Sequence, residues 1–214
     1  MNLNLYFYDS IEEISALSKE FGDDAVIVAR DFSEPELREF NQKKRKSKTK
    51  ILSCKLFKIP DSKNVQKFRG LADLIAADGN SMQMNQWAAK QKVNLLLNPF
   101  SSEKPFFDFA TANVLSQSGV ATAICFSQFL GKNEFRNTFR NAFENAQLVK
   151  NATACVQFLS KANAPMLFVC GARDKGEARA AKDLSSFGVF LGMKQDAALK
   201  ANRKNPSLLL EGLG

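Results

Sequence analysis

Short apolar runs alternate along this chain with longer stretches whose apolar residues recur every three or four positions. The runs 3–8, 25–29, 74–77, 93–97, 120–126 and 165–170 read as strands buried on both faces, and 50–59 as a strand of more alternating character. Between them the helical period appears at 11–21, where Ile11, Ile14, Leu17 and Phe21 share a face. It recurs in a polar helix from Glu34 to about Lys46, where Ser33 is placed to cap and Pro35 suits the first turn. Further helices are predicted over 62–69, 81–90, 108–118, 133–161, 178–191 and 195–200, with Gly119 as a left-handed stop and Pro206 opening a final apolar turn, 208–210. Seven strand–helix alternations predict an α/β fold with a parallel sheet covered by helices. So many equivalent units favour closure into a TIM-barrel-like (β/α) barrel, a single domain over 1–214. An eighth strand is not visible, so the barrel is expected to be irregular.

The helix predicted from Asn133 to Leu148 carries three stripes. Phe135, Phe139 and Phe143 form an apolar ridge expected to be buried; Arg136 and Arg140 follow one step round, then Asn137, Asn141 and Asn145. Guanidinium groups pair bidentately with phosphate, and amides hydrogen-bond to bases, sugars or backbone, so the exposed side suits nucleic acid.

Charge points the same way. Against 22 acidic residues stand 30 basic ones, a formal net charge of +8. Nine of the cations (Arg38, Lys43, Lys44, Arg45, Lys46, Lys48, Lys50, Lys55 and Lys58) fall within 21 positions, where Glu39 is the one acidic residue. A run that local pairing does not neutralise suits a polyanion.

Composition narrows the chemistry. The 214 residues are 45% hydrophobic, with 19 Phe, enough for a substantial core. No run approaches the roughly 18 apolar residues of a membrane span, and the first residues lack a signal-peptide pattern, so a cytoplasmic protein with no membrane partner is expected. Cys54, Cys125, Cys155 and Cys170 lie far apart among apolar neighbours, as buried thiols do, and no Cys-x-x-Cys pair is present. There is no histidine at all. That removes the commonest general base and transition-metal ligand, leaving catalysis by carboxylate, lysine or RNA. Ligands of such barrels gather at the carboxyl ends of strands, here Asp9, Arg30 with Asp31, Asp78, Asn98, Ser127, and Arg173 with Asp174. Asp9, Asp31 and Asp78 would either form an all-oxygen magnesium site, making the protein a carboxylate-only phosphoesterase, or cap the helices that follow. A third reading is a scaffold that binds protein through a Phe-rich surface.

An ordered set of short matches carries a resemblance: Phe7-Tyr8-Asp9, Ala72-Asp73-Leu74-Ile75, Leu96-Leu97-Asn98-Pro99, the Arg136, Arg140, Asn145 helix, Val169-Cys170-Gly171-Ala172, Arg179 through Asp183-Leu184, Leu191-Gly192-Met193 and Asn205-Pro206. With these the chain resembles the archaeal and eukaryotic ribonuclease P protein component 3 family, mostly over 70–211. The chain departs from the family pattern at Ala121-Thr122-Ala123-Ile124, usually acidic in character, and at Cys170, where serine is common. The resemblance implies a barrel akin to the polymerase and histidinol phosphatase superfamily. It also implies a non-catalytic subunit of ribonuclease P, the endoribonuclease that removes the 5′ leader from precursor tRNA. Cleavage would belong to the RNA with magnesium, the protein binding no cofactor of its own. Partners would be the ribonuclease P RNA, ribonuclease P protein component 2, the other protein subunits, and precursor tRNA in the holoenzyme. Lys43, Lys44, Arg45, Lys46, Lys48, Arg136, Arg140, Asn145, Arg173 and Arg179 are the expected RNA contacts.

Overall fold

A computed structural model of the chain describes residues 1–8, 10–130 and 138–211, with 138–142 described by backbone alone. In chain order the strands and helices are β1 (Leu3–Tyr6), α1 (Ile11–Phe21), β2 (Ala25–Arg30), α2 (Glu34–Lys44), β3 (Lys50–Phe57), α3 (Ser62–Arg69), β4 (Leu74–Asp78), α4 (Met82–Gln91), β5 (Leu95–Leu97), α5 (Phe109–Ser118), β6 (Ala121–Cys125), α6 (Thr138–Lys161), β7 (Met166–Val169), α7 (Ala181–Phe190) and α8 (Gln195–Glu211). Short 3-10 turns follow β6 and β7.

The strands pair in sequence order, β1 to β7, and every pairing is parallel. The sheet nearly closes on itself with seven strands. At the seam, Tyr6 bridges Ala172 in parallel, the Phe7 N–H donates to the Ala172 carbonyl at 2.9 Å, and Asn4 Oδ1 accepts the Cys170 N–H at 2.7 Å. A fully buried asparagine thus pairs backbone at a seam where the described residues form no eighth strand.

Strand residues alternate between two apolar layers, which is why the strands read as unbroken apolar runs. Leu5, Ile27, Leu56, Leu74, Leu95 and Val169 fill the barrel axis beside Ala29, Ala76 and Ala123, whose small size suits a narrow seven-stranded lumen. Val26, Val28, Ile75, Ile124 and Phe168 point outward against the helices. Helix starts are set locally. Ser10, Asp61, Ser81 and Asp108 each accept the backbone N–H three residues on, and Glu36 reaches back to accept the Ser33 N–H at 2.7 Å. Gly119 ends α5 at φ +72°, the left-handed stop its position suggested.

Two expectations change. The helix α6 buries Leu148, Ala152, Cys155, Val156 and Leu159, while Phe143 is 73% exposed. Phe143 precedes Leu148 by five residues, about 140° round a helix, so it faces away from the packed stripe, while Phe135 and the Phe139 side chain lie outside the described residues. Nor does Pro206 open a separate apolar turn over 208–210: α8 runs from Gln195 through it to Glu211. Proline removes one intrahelical donor there. Asn205 Nδ2 donates to the Met166 carbonyl at 2.7 Å, and Leu209 and Leu210 pack with Met1 against the barrel lumen, so docking holds the helical course.

Candidate nucleic-acid interface

Because all seven strands run the same way, the segments after them share one end of the barrel, the mouth, and the segments before them share the other. This divides the expected RNA contacts. Lys43, Lys44, Arg45, Lys46 and Lys48 lie where α2 turns into β3, at the end opposite the mouth. Arg173 and Arg179 follow β7, and Asn145 lies in the first half of α6, toward the mouth. The structure therefore places the described contacts at two ends of the barrel rather than on one surface.

Along the stretch from Arg38 to Lys58, which runs from α2 through β3, the cations are sorted by partner. Lys43 pairs with Glu39 at 2.6 Å and Arg38 with Glu34 at 2.8 Å. Lys44 is folded back onto Asp73 and Ser53, and Lys55 is buried against Asp31 and the Phe32 carbonyl, with its ammonium 4.7 Å from the Phe68 ring centre. The expectation that this stretch lacks acidic partners is thus corrected: Glu34, Asp31 and Asp73 reach it from outside the window. Arg45, Lys46 and Lys48 remain exposed without a salt bridge among the described residues. Their presentation is local in origin. The Lys46 and Ser47 N–H groups bond the Lys43 and Lys44 carbonyls at 3.1 Å each, winding the end of α2 into a tight turn, and Ser47 Oγ meets Ser15 Oγ at 2.9 Å.

At the mouth lies a cleft of about 860 Å³, lined among others by Phe7, Lys58, Asp78, Asn98, Phe106 and Arg173. Backbone geometry shapes it. Asn98 sits at φ +44°, and its Oδ1 accepts the Cys125 N–H at 2.7 Å, tying the ends of β5 and β6. Gly171 sits at φ +60°, where an added Cβ would lie 2.6 Å from Cys125 Cβ. Ser127 Oγ donates to the Gly171 carbonyl at 2.6 Å.

Burial raises the Asp78 carboxyl above its ordinary range, while nearby Lys58 and Arg173 pull it down. Asp31 also lines the cleft but is held by Lys55. Asp9, the third proposed carboxylate, lies outside the described residues. Among the described residues, no group of three or more His, Cys, Asp or Glu side chains could hold a metal ion. Cys125 and Cys170, near the mouth, are buried thiols pushed up to about 12 by burial and so kept neutral.

Of the other expected contacts, Arg173 is exposed, with its guanidinium carbon 5.9 Å from the Phe7 ring centre. Arg179 is half-buried and engaged locally: Nη1 donates to the Gly176 and Ala178 carbonyls at 2.7 Å each, and its guanidinium carbon lies 5.2 Å from the Phe126 ring centre. It shapes the turn before α7. Asn145 is exposed on α6. Arg136 and the Arg140 side chain lie outside the described residues. Sequence reading missed Phe106 and Gln128 at the mouth; Gln128 immediately follows Ser127, whose place at a strand end was the available signal.

Comparison with known proteins gives this geometry a context. A ribonuclease P protein component 3 from Thermococcus gammatolerans is 26% identical over 207 residues, 94% of this chain and 93% of that protein. The same component from Thermococcus kodakarensis is 28% identical over 129 residues, 60% and 55% of the two chains. Among solved structures, a chain in a cryo-EM structure of archaeal ribonuclease P with mature tRNA superposes with a TM-score of 0.80 at 20% identity, covering 99% of this chain and 90% of that one. A prolidase crystal structure with bound N-methylphosphonate-L-proline shares the fold, with a TM-score of 0.62 at 8% identity over 98% of this chain and 74% of that one. No helix among the described residues is long and apolar enough to cross a membrane. The model of the family described as RNase P subunit p30 matches residues 10–212, nearly the whole barrel. With the fold, the order of its motifs and that match in agreement, the chain belongs to the ribonuclease P subunit p30 family.

Proposed function

We propose that this subunit is a non-catalytic RNA scaffold of ribonuclease P: it binds the catalytic RNA, and that RNA, with magnesium, removes the 5′ leader from precursor tRNA. The observation that carries this reading is the exposed Arg45, Lys46 and Lys48 cluster. It projects three cations without salt-bridge partners among the described residues from the turn that ends α2. Cations that contact a phosphate backbone release its condensed counterions. Family membership and the superposition on an archaeal ribonuclease P chain support the assignment to that complex. Ribonuclease P protein component 2, the other protein subunits and precursor tRNA are the partners this reading names, and a cytoplasmic location is its setting. The test is reconstitution of the catalytic RNA and the other protein subunits with and without this chain. The chain should lower the magnesium concentration needed for precursor tRNA cleavage while showing no cleavage alone. Cleavage by the purified chain, or an unchanged magnesium requirement, would overturn the proposal.

A further inference from the structure

We propose that the mouth of the barrel binds one nucleotide, its phosphate between Lys58 and Arg173 and its base along the side formed by Phe106, Phe7 and Gln128. The site stands apart from the cluster at the opposite end, so the inference does not rest on the scaffold reading.

Four observations converge on it. The cleft, at about 860 Å³, lies within the range of roughly 300–1,000 Å³ typical of small-molecule sites. Lys58 and Arg173 line it, both are exposed, and neither makes a salt bridge among the described residues. The half-buried Asp78 carboxyl lines the same cleft and feels both cations. Gln128 Oε1 is buried without a hydrogen-bond partner, and Gln128 lines the same cleft. A buried acceptor without a donor costs about 1–3 kcal/mol, so rotation of the Gln128 amide into the cleft it lines, where a base amine supplies a donor, is favoured. Finally, Phe7 and Phe106 are half-buried, offering apolar ring surface toward the cleft on which a base stacks.

Of the carboxylates in the lining, which include Glu103, Asp31 is held by Lys55, and Asp78 is the anion whose charge Lys58 and Arg173 offset and with which a bound phosphate competes. This gives the inference a signature opposite to that of a metal site: neutralising Asp78 should tighten nucleotide binding, whereas a carboxylate-held metal would be lost.

The experiment is calorimetric titration of the full chain with adenosine 5′-monophosphate in the presence of a chelator. Inorganic phosphate and a single-stranded oligoribonucleotide serve as further probes. Saturable one-to-one binding of the mononucleotide is expected, weakened about tenfold by Arg173→Ala and by Lys58→Glu, the worth of about one charged hydrogen bond. Asp78→Asn should tighten it several-fold, and Lys46→Glu at the far end should leave it unchanged. Lys58 is exposed, so its substitution reads binding rather than folding, and thermal unfolding of each variant checks this. An oligonucleotide that displaces the mononucleotide identifies the natural ligand as a residue of RNA; one that leaves it bound identifies a free mononucleotide. The inference is overturned if the folded chain binds no mononucleotide at millimolar concentration, binds only with added divalent metal, or loses binding in Asp78→Asn. Absent mononucleotide binding with intact RNA affinity would sink this inference alone.

Discussion

Asp23 gives the protein a pH dependence in a range where the chain has little else to titrate. It sits between α1 and β2, where burial raises its carboxyl from 3.8 to about 7, despite hydrogen bonds from Tyr6 Oη at 2.9 Å and Asn4 Nδ2 at 3.4 Å. The folded state then holds a proton that the unfolded state lacks between those two values, so stability is greatest below the unfolded pKa and is lost as pH rises through about 7. At roughly 1.4 kcal/mol per unit, moving from pH 8 to pH 5 should stabilise the fold by about 2–3 kcal/mol. Histidine, the usual source of such a slope, is absent. Among the described residues the other carboxylate of this kind is Asp78, raised by burial with the same sign, so Asp78→Asn is the control. Glu34, Glu36, Asp61 and Asp108 are lowered by their hydrogen bonds and act only at more acidic pH. Urea unfolding measured across pH 5 to 8 should show stability falling with pH in the parent and in Asp78→Asn, and a much flatter profile in Asp23→Asn. A flat parent profile, or an undiminished slope in Asp23→Asn, would refute the assignment.

Other perturbations follow from packing. Gly171→Ala places a methyl 2.6 Å from Cys125 Cβ at a positive φ, so a loss of about 2–4 kcal/mol is expected from chemical denaturation, and a loss below about 0.5 kcal/mol would contradict the close approach. Trp87→Ala, which removes a ring 5.5 Å from Phe57 and a hydrogen bond to Ser62, should cost about 3–5 kcal/mol by the same measurement. Replacing Leu209 and Leu210 together by Ala should cost about 2 kcal/mol by unstopping the barrel floor; a neutral result would mean that the end of α8 does not dock.

Much of this fold was legible because its determinants are local. Strands buried on both faces leave unbroken apolar runs, and Ser33, Asp108 and Gly119 mark helix ends within three or four residues of the groups they satisfy. What escaped depended on distance. The seam rests on Asn4 meeting Cys170, 166 positions away, so nothing near either residue announces closure with seven strands. The basic window looked unneutralised because Asp73 and Asp31 reach Lys44 and Lys55 from neighbouring strands. Phe143 on α6 was expected in the core yet is exposed, since which stripe of a helix is buried depends on where the sheet lies. Pro206 was read by its own rule, whereas docking of the leucines beyond it decided the outcome. For the candidate interface, residue types were legible, but their division between two ends of the barrel required the parallel topology.

The central claim, that exposed cations at the end of α2 grip RNA phosphates, is tested most directly by the salt dependence of binding to the catalytic RNA. With Arg45, Lys46 and Lys48 all replaced by Ala, the slope of log affinity against log salt should fall by about 2–3 units, at roughly 0.7–0.9 per lost contact, with thermal stability unchanged. A triple variant with the parent's slope and affinity would contradict the account.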